Sequence, residues 1–167
     1  LARQGARVVV NNHNRDADAA GRVVAEIAAA GGEAVADYGD AADPGSGQAM
    51  VAAALGRWGR LDICVANAAI GTPGMFHKQA AAEFDRVVDV NLLGSARLAR
   101  AAMAVMRPAG FGRIILVVQD DRVGMDPGTI TRAGRFGVSQ SLSLHRTRRL
   151  RIAGVAHGDD PVACPPD

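Results

Sequence analysis

The ten residues from Leu61 to Ile70, LDICVANAAI, limit the possible folds more than any other stretch of the chain. Asp62-Ile-Cys-Val-Ala66 is a short apolar run rich in β-formers, introduced by Gly59 and closed by Asn67. Such a run suits a buried strand of a parallel sheet, with a polar residue emerging at its carboxyl end. Ligands of open α/β sheets sit just outside those carboxyl ends. Asn67, Ala68 and Ala69 therefore fall where a ligand lies, and small side chains there let the backbone approach it closely.

The rest of the chain alternates in the same way. Leu1 to Gly5 reads as the last turn of a helix with a glycine stop. Arg7 to Asn11 is then a strand, followed by a polar turn from Asn12 to Asp16. From Asp18, Ala20, Val23, Val24, Ile27 and Ala28 recur at helical spacing, and Gly31-Gly32 end that helix. Glu33 to Asp37 is a second strand. Pro44 opens a helix with Met50, Val51, Ala54, Leu55 and Trp58 on one side. After a loop from Ile70 to Lys78, the stretch from Ala80 to Met106 is mostly helical and stops at Pro108-Ala-Gly110. Arg113 to Val118 is a strand, Gln119 to Thr131 a loop, Arg132 to Leu144 a weak helix, and Leu150 to Ala156 a final strand. The Asp/Pro-rich tail, residues 159–167, is expected to be disordered. Alternating strands and helices argue an α/β fold with a doubly wound parallel sheet, in one domain over residues 1–158.

A chain of 167 residues is long enough for one domain with a real core. Its 49% hydrophobic and 22% charged content is that of a soluble globular protein, with no run long enough for a membrane span and no visible signal peptide. Cys64 and Cys164 lie far apart without metal spacing, so nothing argues for an oxidising compartment and the cytoplasm is the default. Between Pro127 and Gly158 there is no Asp or Glu, yet six arginines occur: Arg132, Arg135, Arg146, Arg148, Arg149 and Arg151. Such a segment suits phosphate or nucleic acid, but it has Phe136 alone for stacking and no nucleic-acid motif, which favours a solvated face.

Three motifs in order resemble a known family. Ala66-Asn67-Ala68-Ala69 is similar to the NNAG strand end of the short-chain dehydrogenase/reductases, with Ala for the first Asn and Ala for the Gly. Val90-Asn91-Leu92-Leu93-Gly94 resembles their VNLxG, and Gly112-Arg-Ile-Ile-Leu-Val-Val118 their GRIVNIS strand. The resemblance implies a Rossmann-like fold binding NAD or NADP. It also implies a small hydroxyl or oxo substrate, such as a 3-oxoacyl thioester, and a homo-oligomer paired through the helix from Ala80 to Met106. Family members begin with a strand and a TGxxxGxG turn that holds the pyrophosphate. The sequence starts after that turn and ends before the family's last strand, which leads us to expect a fragment or decayed copy whose neighbouring strands expose edges.

By the same resemblance, each functional position can be assigned. Asn91 falls on the family's proton-relay Asn; a helix Asn bonded to backbone is the competing reading. The Ser position falls on Val118 or Gln119. The Tyr-x-x-x-Lys positions fall on Thr131 and Arg135, and a Thr hydroxyl is far too weak an acid to replace a phenol. Arg135 retains a charge for ribose hydroxyls or is simply a surface residue. Independently of any alignment, Tyr38 is the only tyrosine and Lys78 the only lysine. For the cofactor, Asn12 replaces the acid that binds the ribose of NAD, and with His13 and Arg15 it leans to NADP. Asp40 matches an adenine-side Asp or serves only a turn, while Asn67 and Ala68 would line the cofactor. His13 and His145 lack partners for a metal or triad. The expectation is a catalytically impaired oxidoreductase fold; the alternative is an interaction module that pairs with an intact homologue.

Overall fold

The computed structural model describes residues 1–13, 19–71, 76–119 and 150–157. The predicted strands appear almost as read: β1 (Val8–Asn11), β2 (Ala34–Asp37), β3 (Ile63–Ala66), β4 (Gly112–Gln119) and β5 (Leu150–His157). All pairings are parallel. Among the described residues they form two sheets, β1-β2 and β3-β4-β5, rather than one continuous sheet. Among the described residues β1 pairs with β2 and β3 with β4.

The helices are α1 (Ala19–Ala29), α2 (Ser46–Trp58), α3 (Ala81–Val88) and α4 (Ser95–Met106), with a π-helical turn at Asp89–Gly94 joining the last two into one rod. Glycines end the elements where the sequence placed them. Gly5 stops a short 3-10 turn at φ 82°, and Gly59 stops α2 at φ 71° with its N–H bonded to the Leu55 carbonyl at 2.8 Å. Both are left-handed positions that glycine adopts without steric cost.

Packing follows strand alternation. Cys64 and Ala66 on β3, with Ile114 and Leu116 on β4, share one face because Cys64 pairs with Ile114 and Ala66 with Leu116. That face is buried under Ala99, Ala102 and Met106, which recur at helical spacing on α4, and under Val51 of α2. Full burial of Ile114 or Leu116 stabilises by about 1.5–3 kcal/mol each. α2 and α4 cross closely because Gly47 has no side chain: a Cβ there would lie 2.9 Å from the Leu98 Cα.

The opposite face is less covered. Ile63 and Val65 are 38% and 39% exposed, and their β4 neighbours Arg113 and Ile115 are only half-buried. No helix among the described residues is long and apolar enough to cross a membrane.

One expectation needs correction. Pro44 does not open α2; the helix starts at Ser46, because the Asp43 N–H bonds to Asp40 O and the Ser46 N–H to Asp43 O, which closes a turn first. α1, found at the helical spacing read from the sequence, buries Ala20, while Val23 is 40% exposed. The expected helix from Arg132 to Leu144 and the tail lie outside the described residues.

Candidate functional site

Each strand that carries a candidate residue delivers it at its carboxyl end. Asn11 and Asp37 close β1 and β2 and face each other in register. The Asn11 Nδ2 donates to Asp37 Oδ1 at 2.6 Å and to the Gly39 carbonyl at 2.9 Å. The Gly39 N–H donates to the same Asp37 oxygen at 3.1 Å. Asn12, next along, is exposed, and its N–H is held by the Asp37 carbonyl at 3.0 Å. After β3, Asn67, Ala68 and Ala69 are exposed as well.

The π-helical turn lies against both loops. Asn91 is 6% exposed; its Nδ2 donates to the Ile70 carbonyl at 2.9 Å, and its Oδ1 accepts the Ile70 N–H at 2.8 Å. Through these two bonds Asn91 fixes the loop that follows Asn67. Three residues on, Gly94 lets the other loop approach, since a Cβ there would sit 2.5 Å from the Ala41 carbonyl oxygen. Ser95 Oγ donates to the Asn91 carbonyl at 2.9 Å, an in-helix bond that suits the widened turn. π-turns inside α-helices are often found at functional sites.

Asp40 is more than a turn residue. It caps its own turn by accepting the Ala42 N–H at 2.9 Å. It also accepts Arg86 Nη2 from α3 at 2.6 Å and lies 3.2 Å from His13 Nε2. Burial works to raise its carboxyl, but the bond from Arg86, the Ala42 N–H and the nearby charges outweigh it, and the acid is held below its ordinary value. His13, which has no paired metal ligand or nucleophile in the sequence reading, lies beside this carboxylate. Arg97 extends the contact by donating to the Ala42 carbonyl at 2.7 Å. Sequence reading missed Arg86, Arg97 and Asp37. Their partners lie up to 55 residues away, and no local spacing reports that.

Of the remaining candidates, Gln119 ends β4 and pairs in register with His157. Arg15, Thr131 and Arg135 lie outside the described residues. Cys64 is a core residue: burial pushes its thiol up to about 12, far from the range of a reactive cysteine. Among the described residues no cluster of His, Cys, Asp or Glu is arranged to hold a metal ion.

The family model for enoyl-(acyl carrier protein) reductase matches residues 1–140. The chain belongs to the short-chain dehydrogenase/reductase family. It is 34% identical over 166 residues to the peroxisomal multifunctional enzyme type 2 of Drosophila melanogaster, covering 93% of this chain and 27% of the relative. It is 35% identical over 150 residues to the L-rhamnose 1-dehydrogenase (NAD(P)(+)) of Azotobacter vinelandii, covering 86% of this chain and 59% of the relative. Among solved structures, a metagenomic short-chain oxidoreductase in complex with NADP superposes with a TM-score of 0.85 at 32% identity, over 95% of this chain and 73% of that one. The chain thus spans less than two thirds of these curated relatives' own length. Their fold is the Rossmann-like fold expected from the sequence.

Proposed function

We propose that the chain carries the nucleotide-binding frame of an NAD(P)-dependent oxidoreductase acting on a hydroxyl or oxo compound, without the proton-transfer couple that completes the reaction. The observation that carries this reading is compositional: Tyr38 and Lys78 are the only residues of their kinds, so no Tyr-x-x-x-Lys exists in the sequence. General acid–base groups of that sort contribute about 10²–10⁴-fold to rate.

The residues at the carboxyl ends of the strands suit a dinucleotide in their chemistry. Asn67, Ala68 and Ala69 are exposed and small, on a loop held from behind by Asn91. Asn12 sets no fixed negative charge beside a ribose, and Asp40 is already paired with the Arg86 guanidinium. With His13 and Arg15 close to it in the sequence, that turn leans to NADP over NAD. When bound, the nicotinamide supplies or accepts the hydride. Asn67 and Ala68 would line its path, Asn91 would keep that loop in place, and by the resemblance Val118 or Gln119 would hold the place of the substrate-orienting Ser.

The test uses the full chain, NADPH and a 3-oxoacyl thioester. NADPH fluorescence should change on binding, while absorbance at the reduced-nicotinamide band stays constant. Turnover at rates ordinary for intact family members would overturn the impairment; absence of binding would overturn the nucleotide reading.

A second reading has its own support. Arg100, Met103, Ala104, Arg107 and Pro108 line an open, shallow depression on the outer side of α4. That surface suits docking on an intact homologue. Mixed samples of the two chains at micromolar concentration should then co-elute in size exclusion, and separate elution would remove this reading.

A further inference from the structure

The loop 39–45 and the loop after β3 are both fastened to one stretch of helix. Arg86 holds Asp40 at 2.6 Å, and Arg97 holds the Ala42 carbonyl at 2.7 Å. Between these two arginines lie Gly94, against which Ala41 packs, and Asn91, which holds Ile70 on both sides of its amide. Arg97 is itself steadied by Asp89, 3.7 Å away on the same rod.

We propose that Arg86 and Arg97 are positioning residues for nucleotide binding, clamping the loop 39–45 to the π-helical turn so that one element sets the spacing of the two walls of the crevice. This rests on the reading of the crevice as a nucleotide site. Arg86 and Arg97 act through Asp40 and Ala42, and neither is required to touch the ligand. A bidentate-capable, permanently charged guanidinium suits such a clamp, because it reaches across from a helix and grips a carboxylate or a carbonyl with fixed geometry. Bonds to charged groups are also the stronger kind, so the loop has a defined resting place before any ligand arrives.

The experiment compares the full chain with Arg86→Met, Arg86→Lys, Arg97→Met and Asn91→Ala. Two readouts are taken: amide hydrogen exchange at Ala42 and Ile70 without ligand, and binding of adenosine 2′,5′-bisphosphate by calorimetry. With Arg86→Met we expect Ala42 to exchange faster, Ile70 to stay protected, and the bisphosphate to bind about tenfold more weakly, the loss expected for one charge-assisted bond. Arg97→Met should act in the same direction. Arg86→Lys should recover a good part of the affinity, which a purely space-filling role of the side chain would not predict. Asn91→Ala should free Ile70 and leave Ala42 protected. If Arg86→Met and Arg97→Met speed exchange at Ala42 but bind the bisphosphate like the parent chain, the positioning role is wrong. If the parent chain itself takes up no bisphosphate, the nucleotide reading fails and this proposal falls with it.

Discussion

Asn91 and Ile70 form a closed pair: the side-chain amide of the first accepts from the N–H and donates to the C=O of the second, at 2.8 Å and 2.9 Å. Replacing Asn91 by Ala removes both bonds from a buried position and should lower stability by about 1–3 kcal/mol. Asn91→Asp is the sharper test. It keeps the size but sets a carboxylate oxygen against the Ile70 carbonyl, so it should be at least as damaging near neutral pH. Urea midpoints with unchanged slopes would measure both.

Gly94 and Gly56 make opposite predictions for the same substitution. A Cβ on Gly94 would fall 2.5 Å from the Ala41 carbonyl oxygen, a backbone atom that cannot swing aside. Gly94→Ala should therefore cost about 1–3 kcal/mol. Gly56, inside α2, has nothing within 4 Å of such an atom. There, alanine should be neutral or stabilise the helix by up to about 1 kcal/mol. Thermal unfolding of the two variants decides the matter, and similar losses in both would contradict the packing.

Acid should act through Asp40. Its carboxyl lies below the ordinary value in the folded chain, so the unfolded chain binds the proton more readily. The stability it contributes is present above the unfolded value of about 3.9 and is lost as pH falls through the lower folded value. Stability measured from pH 6 downward should fall in that acid window. Asp40→Asn should flatten this part of the profile, and an unaltered profile would remove Asp40 from the account.

Cys64 should be chemically silent in the native state. Its thiol is buried and raised to about 12. In a Cys164→Ser background, iodoacetamide at pH 8 should label Cys64 only as fast as the chain unfolds, and denaturant should accelerate labelling sharply. Prompt labelling without denaturant would mean that the β3–α4 core opens readily.

The missing couple can be put back. Thr131→Tyr with Arg135→Lys would create a Tyr-x-x-x-Lys, which the sequence otherwise lacks, at the positions the resemblance assigns. If the remainder of the site is serviceable, NADPH-dependent turnover should rise by about 10²-fold or more over the parent chain. No gain, in a variant that still binds NADPH, would place the defect elsewhere than at the proton donor.

Much of the scaffold is legible in the sequence because burial writes itself into short apolar runs. Ile63–Ala66 and Gly112–Gln119 stand out as strands between glycines and polar residues, and Gly59 and Gly110 mark helix ends by needing positive φ. The start of α2 is easily misread because Pro44 is equally at home in the turn that Asp40 and Asp43 close. At the site, the residues at strand ends can be named from pattern, since parallel sheets present ligands there. What they bond to cannot. Arg86 and Asp40 lie 46 positions apart, and a pairing of that kind depends on how two elements pack rather than on any local period. Asn91 lies between these cases: its family position suggests chemistry, while its burial and its two backbone bonds give it a mechanical role.

The widened turn at Asp89–Gly94 makes the length of the long helical rod unforgiving. Each residue of an α-helix advances the chain by about 1.5 Å and rotates it by about 100°. Deleting one residue there would restore a regular ladder but swing Ala99, Ala102 and Met106 off Ile114 and Leu116, while an insertion would turn them the other way. Homologous sequences should accordingly vary in length on either side of this rod before they vary within it.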